Sequence, residues 1–395
     1  MKVSRVRWSS VLLVLPGLFV SHGAAAAAPA QRIAGSEAPD VLKVALVSVV
    51  CSSPRKCVAI GAQHYGTTTG SIAVTTTDGG GTWASTPILP DVKYLDALSC
   101  ATAKTCLAAG SNPVGNDYEA KAIRTVDGGR TWVMTPVLPK GIGIINSISC
   151  PTLGYCMGVG VSSANSPAVA VVTNNSGRAW KRLALPKGEE SLSLVTCTTP
   201  RKCIAEGSMD AVVGEPDEGH RLSIITTSDG GSTWVQSSLS TDPSAPIGAY
   251  IFSGLTCATQ TRCLLVGDAT PGDGSASGVI IASDDGGLTW TFETAPPGTT
   301  FLNAISCPSA AQCAVVGGGI EARGGSDQDI VTTSDSGQTW TSHFVPASAV
   351  GLDGVSCPSV TSCVGVGFGL STSDPTAEPA AVVVTADAGA TWTAP

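Results

Sequence analysis

Fourteen cysteines fall into seven C-x5-C pairs, and seven tryptophans each close a segment of the form T/S-x-D-x-G-x-T-W, all in fixed phase along a chain of 395 residues. Together they predict an all-β fold, a seven-bladed β-propeller over residues 41–395. Each blade should carry one Asp-bearing turn and one internal disulfide. The pairs are Cys51/Cys57, Cys100/Cys106, Cys150/Cys156, Cys197/Cys203, Cys257/Cys263, Cys307/Cys313 and Cys357/Cys363, with starts 49, 50, 47, 60, 50 and 50 residues apart. Trp83, Trp132, Trp180, Trp234, Trp290, Trp340 and Trp392 repeat with the same period.

In chain order, the first element lies outside the fold. Lys2, Arg5 and Arg7 precede the apolar run Val11 to Val20, and an Ala-rich stretch to Ala30 follows. This is the pattern of an export signal over residues 1–30. The run is short and interrupted by Pro16, which argues against a membrane span. Residues 31–40 form a short N-terminal segment. Each repeat then divides into four short strands, A to D. In the sixth repeat, A is the run Phe301 to Ser306, B begins near Ala314, C is Ile330 to Thr333 and D begins at Trp340. The chain stops three residues after Trp392, so the seventh D strand is stubby. Either it stays short or residues 31–42 complete it from the other terminus; a ring needs a clasp, which favours the second.

The repeated residues have structural work. Asp78, Asp127, Asp229, Asp285, Asp335 and Asp387 are placed to accept hydrogen bonds from their own turn, with Asn175 in the degenerate third copy. The glycine two positions on permits unusual backbone angles, and the tryptophan buries its ring and needs an acceptor for its indole N–H. Cysteines one pair per repeat, even in number and in an exported chain, read as disulfides rather than zinc ligands. Each should pin an A–B hairpin across its five-residue turn. A loop that short stabilises by about 2 kcal/mol in the chain-entropy model.

These turns resemble those of the Asp-box (BNR) propellers: sialidases, xyloglucan-type glycosidases, sortilin-like receptors and photosystem II assembly factors. The wider unit, L-x-A-I-S-C…C-A-V-V-G…V-T-T-S-D-S-G-Q-T-W between Leu302 and Trp340, is most similar to the assembly factors. The resemblance implies fold and leaves function open, because such turns occur on hydrolases, receptors and assembly factors alike. A sialidase of this kind implies an arginine cluster at the channel mouth and an F/Y-R-I-P motif. Here Arg32-Ile33 is followed by Ala34, and Arg55, Arg201, Arg262, Arg130 and Arg178 fall in A–B or C–D turns. Those turns share the face opposite the usual ligand side. Other glycosidases need paired carboxylates and aromatic platforms, and all seven tryptophans beyond Trp8 are committed to the turns.

Charge gives a second pattern. Formal charge is −8, and −11 once the three basic residues of the signal are removed, which excludes nucleic acid as a partner and opposes binding to anionic lipid. The Cys-pair turns hold Arg55, Lys56, Lys104, Arg201, Lys202 and Arg262 and no acid. The B–C loops hold Asp117, Glu119, Asp210, Glu215, Asp217, Glu218, Asp268, Asp273, Glu321, Asp327, Asp329, Asp374 and Glu378. Either the ligand-side face is an acidic binding surface, with the loop Gly207 to Arg221 first in line for a partner, or these are ordinary solvated loops. Four positions before each first cysteine stand Val47, Asp96, Asn146, Ser193, Ser253, Asn303 and Asp353. Six of these seven are small and polar. Either they line the channel mouth and hold water, a cation or a small polar ligand, or they satisfy backbone ends.

The sequence therefore predicts a secreted, monomeric, non-enzymatic scaffold that binds a protein or cationic ligand on its acidic loop face, without cofactor, metal or membrane insertion. A divergent glycoside hydrolase with a channel-mouth active site is the alternative, and a purely structural envelope protein is a third reading.

Overall fold

The seven repeats fold into seven sheets set around one axis, antiparallel throughout except that Ser238–Leu239, leaving blade 4, pairs parallel with the outer strand Thr289–Glu293 of blade 5. The computed structural model describes residues 31–33, 44–65, 68–87, 92–136, 138–163, 167–209, 221–240, 250–269, 276–318, 329–369 and 379–395. The signal-like residues 1–30 lie outside the described residues. The A strands, Val44–Ser53, Tyr94–Cys100, Ile142–Ser149, Glu189–Cys197, Tyr250–Cys257, Leu302–Ser306 and Gly351–Ser359, each touch the A strands of both neighbouring blades, and the seventh touches the first. The ring is closed. Strands B, C and D follow outward by simple antiparallel pairing.

Burial explains why no blade stands alone. The apolar side chains of one sheet interleave with those of the next, so the hydrophobic cores lie at the junctions between blades. Met157, Val159, Ala170 and Val172 of blade 3 meet Leu192, Val195, Ala205 and Ile225 of blade 4. Leu46, Val49 and Ile72 of blade 1 meet Val364 and Val366 of blade 7. The tryptophan of each Asp turn fills the junction with the preceding blade, as Trp290 does beside Ile204 and Ile224. The indole N–H of Trp83, Trp290 and Trp392 donates to a carbonyl of its own turn, at 2.9 to 3.1 Å. Trp340 donates instead to Glu293 of blade 5, and Trp132, Trp180 and Trp234 meet no acceptor among the described residues.

All seven C-x5-C pairs are intrablade disulfides joining strand A to strand B: Cys51 to Cys57, Cys100 to Cys106, Cys150 to Cys156, Cys197 to Cys203, Cys257 to Cys263, Cys307 to Cys313 and Cys357 to Cys363. Their Cα–Cα distances are 3.9 to 4.1 Å. There is no free cysteine. The pairing and the pinning of the A–B hairpin are the expected ones, and the structure adds a second role. The second cysteine of every pair, Cys57, Cys106, Cys156, Cys203, Cys263, Cys313 and Cys363, is buried. Each packs in the core shared with the preceding blade: Cys57 beside Val364 and Val366, Cys156 beside Ala97 and Leu107, Cys313 beside Leu264 and Val266, and Cys363 beside Ala314 and Val316. The reason is its place in strand B, the strand buried on both faces, where a cystine sulfur fills apolar space as a small hydrophobe does. The disulfides are therefore core residues of the junctions as well as hairpin pins.

Seven disulfides are what an oxidising, extracytoplasmic type of compartment preserves. Among the described residues no helix is long and apolar enough to cross a membrane.

Closure differs from the expected clasp. Gln31–Ile33 pairs antiparallel with Trp83–Pro87, adding a fifth strand to the outer edge of blade 1, and does not complete blade 7. Blade 7 keeps three strands and a single bridge, Val384 to Thr393. The ring closes with the bond that joins other blades. The N–H of Cys51 donates to Ser356 Oγ of blade 7 at 2.9 Å. Cys150, Cys197 and Cys357 donate likewise to Ser99, Ser149 and Ser306, each the residue before the first cysteine of the preceding blade. A repeated interblade bond and a repeated apolar junction make a shared sheet unnecessary.

Candidate functional site

The Asp turns occupy one end of the ring and are internally satisfied. In blade 4, Thr227 Oγ1 donates to Asp229 Oδ1 (2.9 Å) and accepts from the N–H of Gly231 (2.8 Å). The Thr233 N–H and hydroxyl donate to the two carboxylate oxygens at 2.9 and 2.7 Å. Those two bonds hold the Asp229 carboxyl at about 2, and Thr391 does the same for Asp387. Asn175 keeps the Oδ1 half of the pattern, accepting from Thr173 Oγ1 and the N–H of Ala179. Each turn is also tied to its own Cys turn. The N–H after the Asp position donates to the carbonyl two residues before the second cysteine, from Gly79 to Arg55 through Ala388 to Thr361. The two turn types therefore share one end, and the aspartates sit beside the basic Cys turns and offset their charge. Taken with the aspartates, this end is less basic than its Cys turns alone.

Several of those basic residues join blades. Arg262, only 14% exposed, bonds Asp284 (3.2 Å), Glu293 and the Ser336 carbonyl of blade 6. The same Glu293 accepts from Trp340 at 3.0 Å. The group borders a polar cavity of about 400 Å³ lined also by Thr291, Ala310 and Gln338. The equivalent residue of blade 3, Tyr155, reaches toward the Gly230 carbonyl and the Cys203 sulfur of blade 4, and burial raises its hydroxyl to about 12. Lys202 Nζ bonds Gln260 of blade 5 at 3.2 Å.

The polar ring predicted at the channel mouth has a definite geometry. Val47, Asp96, Asn146, Ser193, Ser253, Asn303 and Asp353 are each the extra residue of a β-bulge, the register breaking between Leu46/Ser48, Leu95/Ala97, Ile145/Ser147, Leu192/Leu194, Phe252/Gly254, Leu302/Ala304 and Leu352/Gly354. A bulge leaves one residue out of the ladder and re-aims its side chain. The structure thus gathers all seven at one level of the innermost strands, each half-buried. Asn146 Nδ2 donates to the Leu192 carbonyl (2.9 Å), and Asn303 Nδ2 to the carbonyls of Gly318 and Leu352 (3.1 Å each). Leu192 and Leu352 directly precede the bulged residue of the next blade. These two asparagines therefore satisfy the backbone and link blades.

Sequence reasoning missed the partner of the bulge. Four residues after every second cysteine stands a glycine: Gly61, Gly110, Gly160, Gly207, Gly267, Gly317 and Gly367. A Cβ there would lie 1.7 to 2.1 Å from a carbonyl oxygen of strand A, two residues before the bulge. The signal was present as seven glycines inside seven strands.

Asp210, Glu215, Asp217 and Glu218 lie outside the described residues, as do Asp273, Glu321, Asp327, Asp374 and Glu378. The hairpin they would extend in blade 4 ends at Met209 paired with Arg221. Two acids counted with these loops are interior. Asp329 is fully buried and accepts from the Thr300 N–H (2.8 Å) and hydroxyl. Asp268 lies within strand Cys263–Ala269, and burial raises its carboxyl to about 6. Glu189 is also buried, near the root of the blade 4 loop, accepting from Ser223 at 2.9 Å, with its carboxyl raised by burial. Asp117 and Glu119 are exposed, and Glu119 pairs with Lys121 at 2.7 Å. Among the described residues no three His, Cys, Asp or Glu side chains gather as a metal centre would need.

A seven-bladed propeller with one disulfide per blade is thus the class this chain falls in. No protein-family model matches the chain, and no curated protein matches it. Among solved structures it is similar to YCF48 from Cyanidioschyzon merolae, at 15% identity over 76% of this chain and 84% of that one, with a TM-score of 0.47. A structure of YCF48 bound to D1 peptide matches at 17% identity, over 78% and 97% of the two chains, with a TM-score of 0.40. The GH74 xyloglucanase from Xanthomonas campestris matches at 11% identity, over 93% and 75%, with a TM-score of 0.34.

Proposed function

We propose that this chain is an exported, non-enzymatic binding propeller that holds a protein or cationic partner on its acidic B–C rim. The supporting observation is the contrast between the two ends of the ring. At the Cys-turn end every blade repeats the backbone hydrogen bond from its Asp turn to its Cys turn, and aspartates stand beside lysines and arginines. At the B–C end the connections differ in length from blade to blade, and their sequences carry Asp117, Glu119, Asp210, Glu215, Asp217, Glu218, Asp273, Glu321, Asp327, Asp374 and Glu378. Variable loops on a rigid frame are where binding residues concentrate, and one sign of charge on a rim steers an oppositely charged partner. In the same reading Asp96, Ser193, Ser253 and Asp353, beside Asn146 and Asn303, offer a small polar subsite at the channel mouth.

The test is affinity capture from the extracellular fraction, comparing wild type with the combined Asp210→Lys, Glu215→Lys, Asp217→Lys and Glu218→Lys protein at low and high salt. Capture should be lost on charge reversal and weaken with salt. Capture indifferent to both would sink the reading.

A further inference from the structure

The B–C hairpin of blade 2, like that of blade 1, stays paired further out than that of blade 3. Its strands, Cys106–Val114 and Asp117–Thr125, stay paired from Cys106 and Thr125 out to Val114 and Asp117. The equivalent hairpin of blade 3 has its last pair at Val161 and Ala168, three residues sooner after the second cysteine. The arm of blade 2 therefore stands about 10 Å taller at a strand rise of roughly 3.4 Å per residue.

Both flanking strands give out below it. Strand A pairs no further than Tyr94 with Ser111. Strand D ends with the Thr135 N–H on the Ala122 carbonyl at 2.9 Å. Residues 113–119 are all exposed. Backbone groups alternate sides along a strand, so the N–H and C=O of Ala120 and Tyr118 point the same way as the Ala122 carbonyl, along the edge strand D has left.

Side chains alternate as well. Ala120 and Ala122 face blade 3, which puts Tyr118 and its cross-strand neighbour Pro113 on that face, with Tyr94 in the same phase. Tyr94 is 41% exposed and Tyr118 44%. Asp117 and Glu119 lie on the other face. An edge of this kind is a template for a further strand unless it is blunted by proline, charged side chains, a bulge or a cover, and charges such as Asp117 and Glu119 turn away every strand but one of opposite charge. The strand Asp117–Thr125 contains no proline.

We propose that the outer edge of this strand beyond strand D, which meets no further strand among the described residues, is a β-addition site for an extended segment of a protein partner in which basic residues alternate with apolar ones. The added backbone bonds Tyr118 and Ala120. Its basic side chains lie across from Asp117 and Glu119, and its apolar ones against Tyr118, the pairings that stabilise neighbouring strands. This rests on the binding role proposed for the B–C rim and names a different contact within it from the blade 4 loop.

The test uses the full chain and a fluorescein-labelled peptide of alternating lysine and valine, read by anisotropy and by amide hydrogen exchange. Ala120→Pro removes an outward N–H without touching the ladder to strand B. It should weaken binding about tenfold or more, as should the pair Asp117→Lys with Glu119→Lys. Exchange at Tyr118 and Ala120 should slow when the peptide binds wild type. If Ala120→Pro fails to fold, judged by melting and disulfide mapping, the charge pair and the exchange data decide alone. Binding lost only on reversal of the blade 4 loop overturns the hairpin site and leaves the rim reading standing. Binding insensitive to every variant, or no binding to wild type, overturns the hairpin site; the capture experiment then judges the rim separately.

Discussion

Two glycines in one strand of blade 3 should respond very differently to the same added methyl group. At Gly160 a Cβ would lie 1.9 Å from the Ile144 carbonyl oxygen and 2.9 Å from its carbon. At Gly158, two residues back on the same face, it would meet the side chains of Ile145 and Val171 at 3.3 and 3.4 Å. Against an ordinary contact of about 3.5 Å, the Ile144 carbonyl must withdraw by more than about 1 Å. That withdrawal pulls strand A off its register, Ile144 with Val161 and Ile145 with Gly160. Overpacking costs about 1–3 kcal/mol and each ladder bond lost about 1 kcal/mol more, which gives about 3–5 kcal/mol for Gly160→Ala. Gly158→Ala asks its neighbours to move by only tenths of an ångström and reduces the freedom of the unfolded chain, so its net effect stays within about 1 kcal/mol. Denaturant midpoints followed by tryptophan fluorescence, with disulfides intact, compare the two. If Gly160→Ala falls within about 1 kcal/mol of Gly158→Ala, the bulge does not require glycine and the account of the inner ring is wrong.

Other perturbations test other parts of the fold. Burial raises the Asp268 carboxyl from 3.8 to about 6. Its protonation therefore stabilises the native state fully below about pH 4, and that contribution is lost as pH rises through about 6. Asp268→Asn should thus be more stable than wild type by about 3 kcal/mol at pH 7 and indistinguishable at about pH 3.5, in paired melting curves. Arg262→Met leaves Glu293 buried against Trp340 without its cation and should cost about 3 kcal/mol. Adding Glu293→Leu should recover part of that loss in a double-mutant cycle. Ser356→Ala at the closing junction and Ser149→Ala at an internal one remove the same bond and should each cost about 1 kcal/mol. A much larger loss at Ser356 would mean that closure depends on something the internal junctions lack.

Much of the architecture was legible because it is repeated. Seven cysteine pairs and seven tryptophan-closed turns in one phase define blade number, blade boundaries and disulfide partners, since each pair lies within one short hairpin. That Cys57, Cys156, Cys313 and Cys363 also fill the junction with the blade before was not legible, because a spacing of six names the partner and not the surroundings. The bulged residues were visible as a row of small polar side chains, although their geometry was not. Their glycine partners were equally repeated and went unread, because a glycine in a strand signals close approach only when the approaching carbonyl is known. The clasp was misjudged for a related reason. Sequence shows which segment is missing a strand and not which edge another segment will reach, so residues 31–42 were favoured over a short strand for blade 7, whereas Gln31–Ile33 lies on blade 1.

Charge was the least legible feature. The residue type of Arg262, Asp268 and Asp329 suggested solvent-facing turns and loops, whereas the fold places Arg262 across a blade junction and both aspartates inside. What the chain's order of residues determined by itself is therefore what acts locally: turns that close on their own threonine and aspartate, hairpins pinned by cysteines six residues apart, and strands with an apolar face. What only the tertiary structure decided is what spans two blades: the bulge against the glycine, the serine that accepts the next blade's N–H, and which ionic groups are buried. Local hydrogen bonds and short loops are fixed by neighbours in sequence. Contacts between sheets some fifty residues apart depend on how seven of them divide a full turn, and that is settled only when the ring closes.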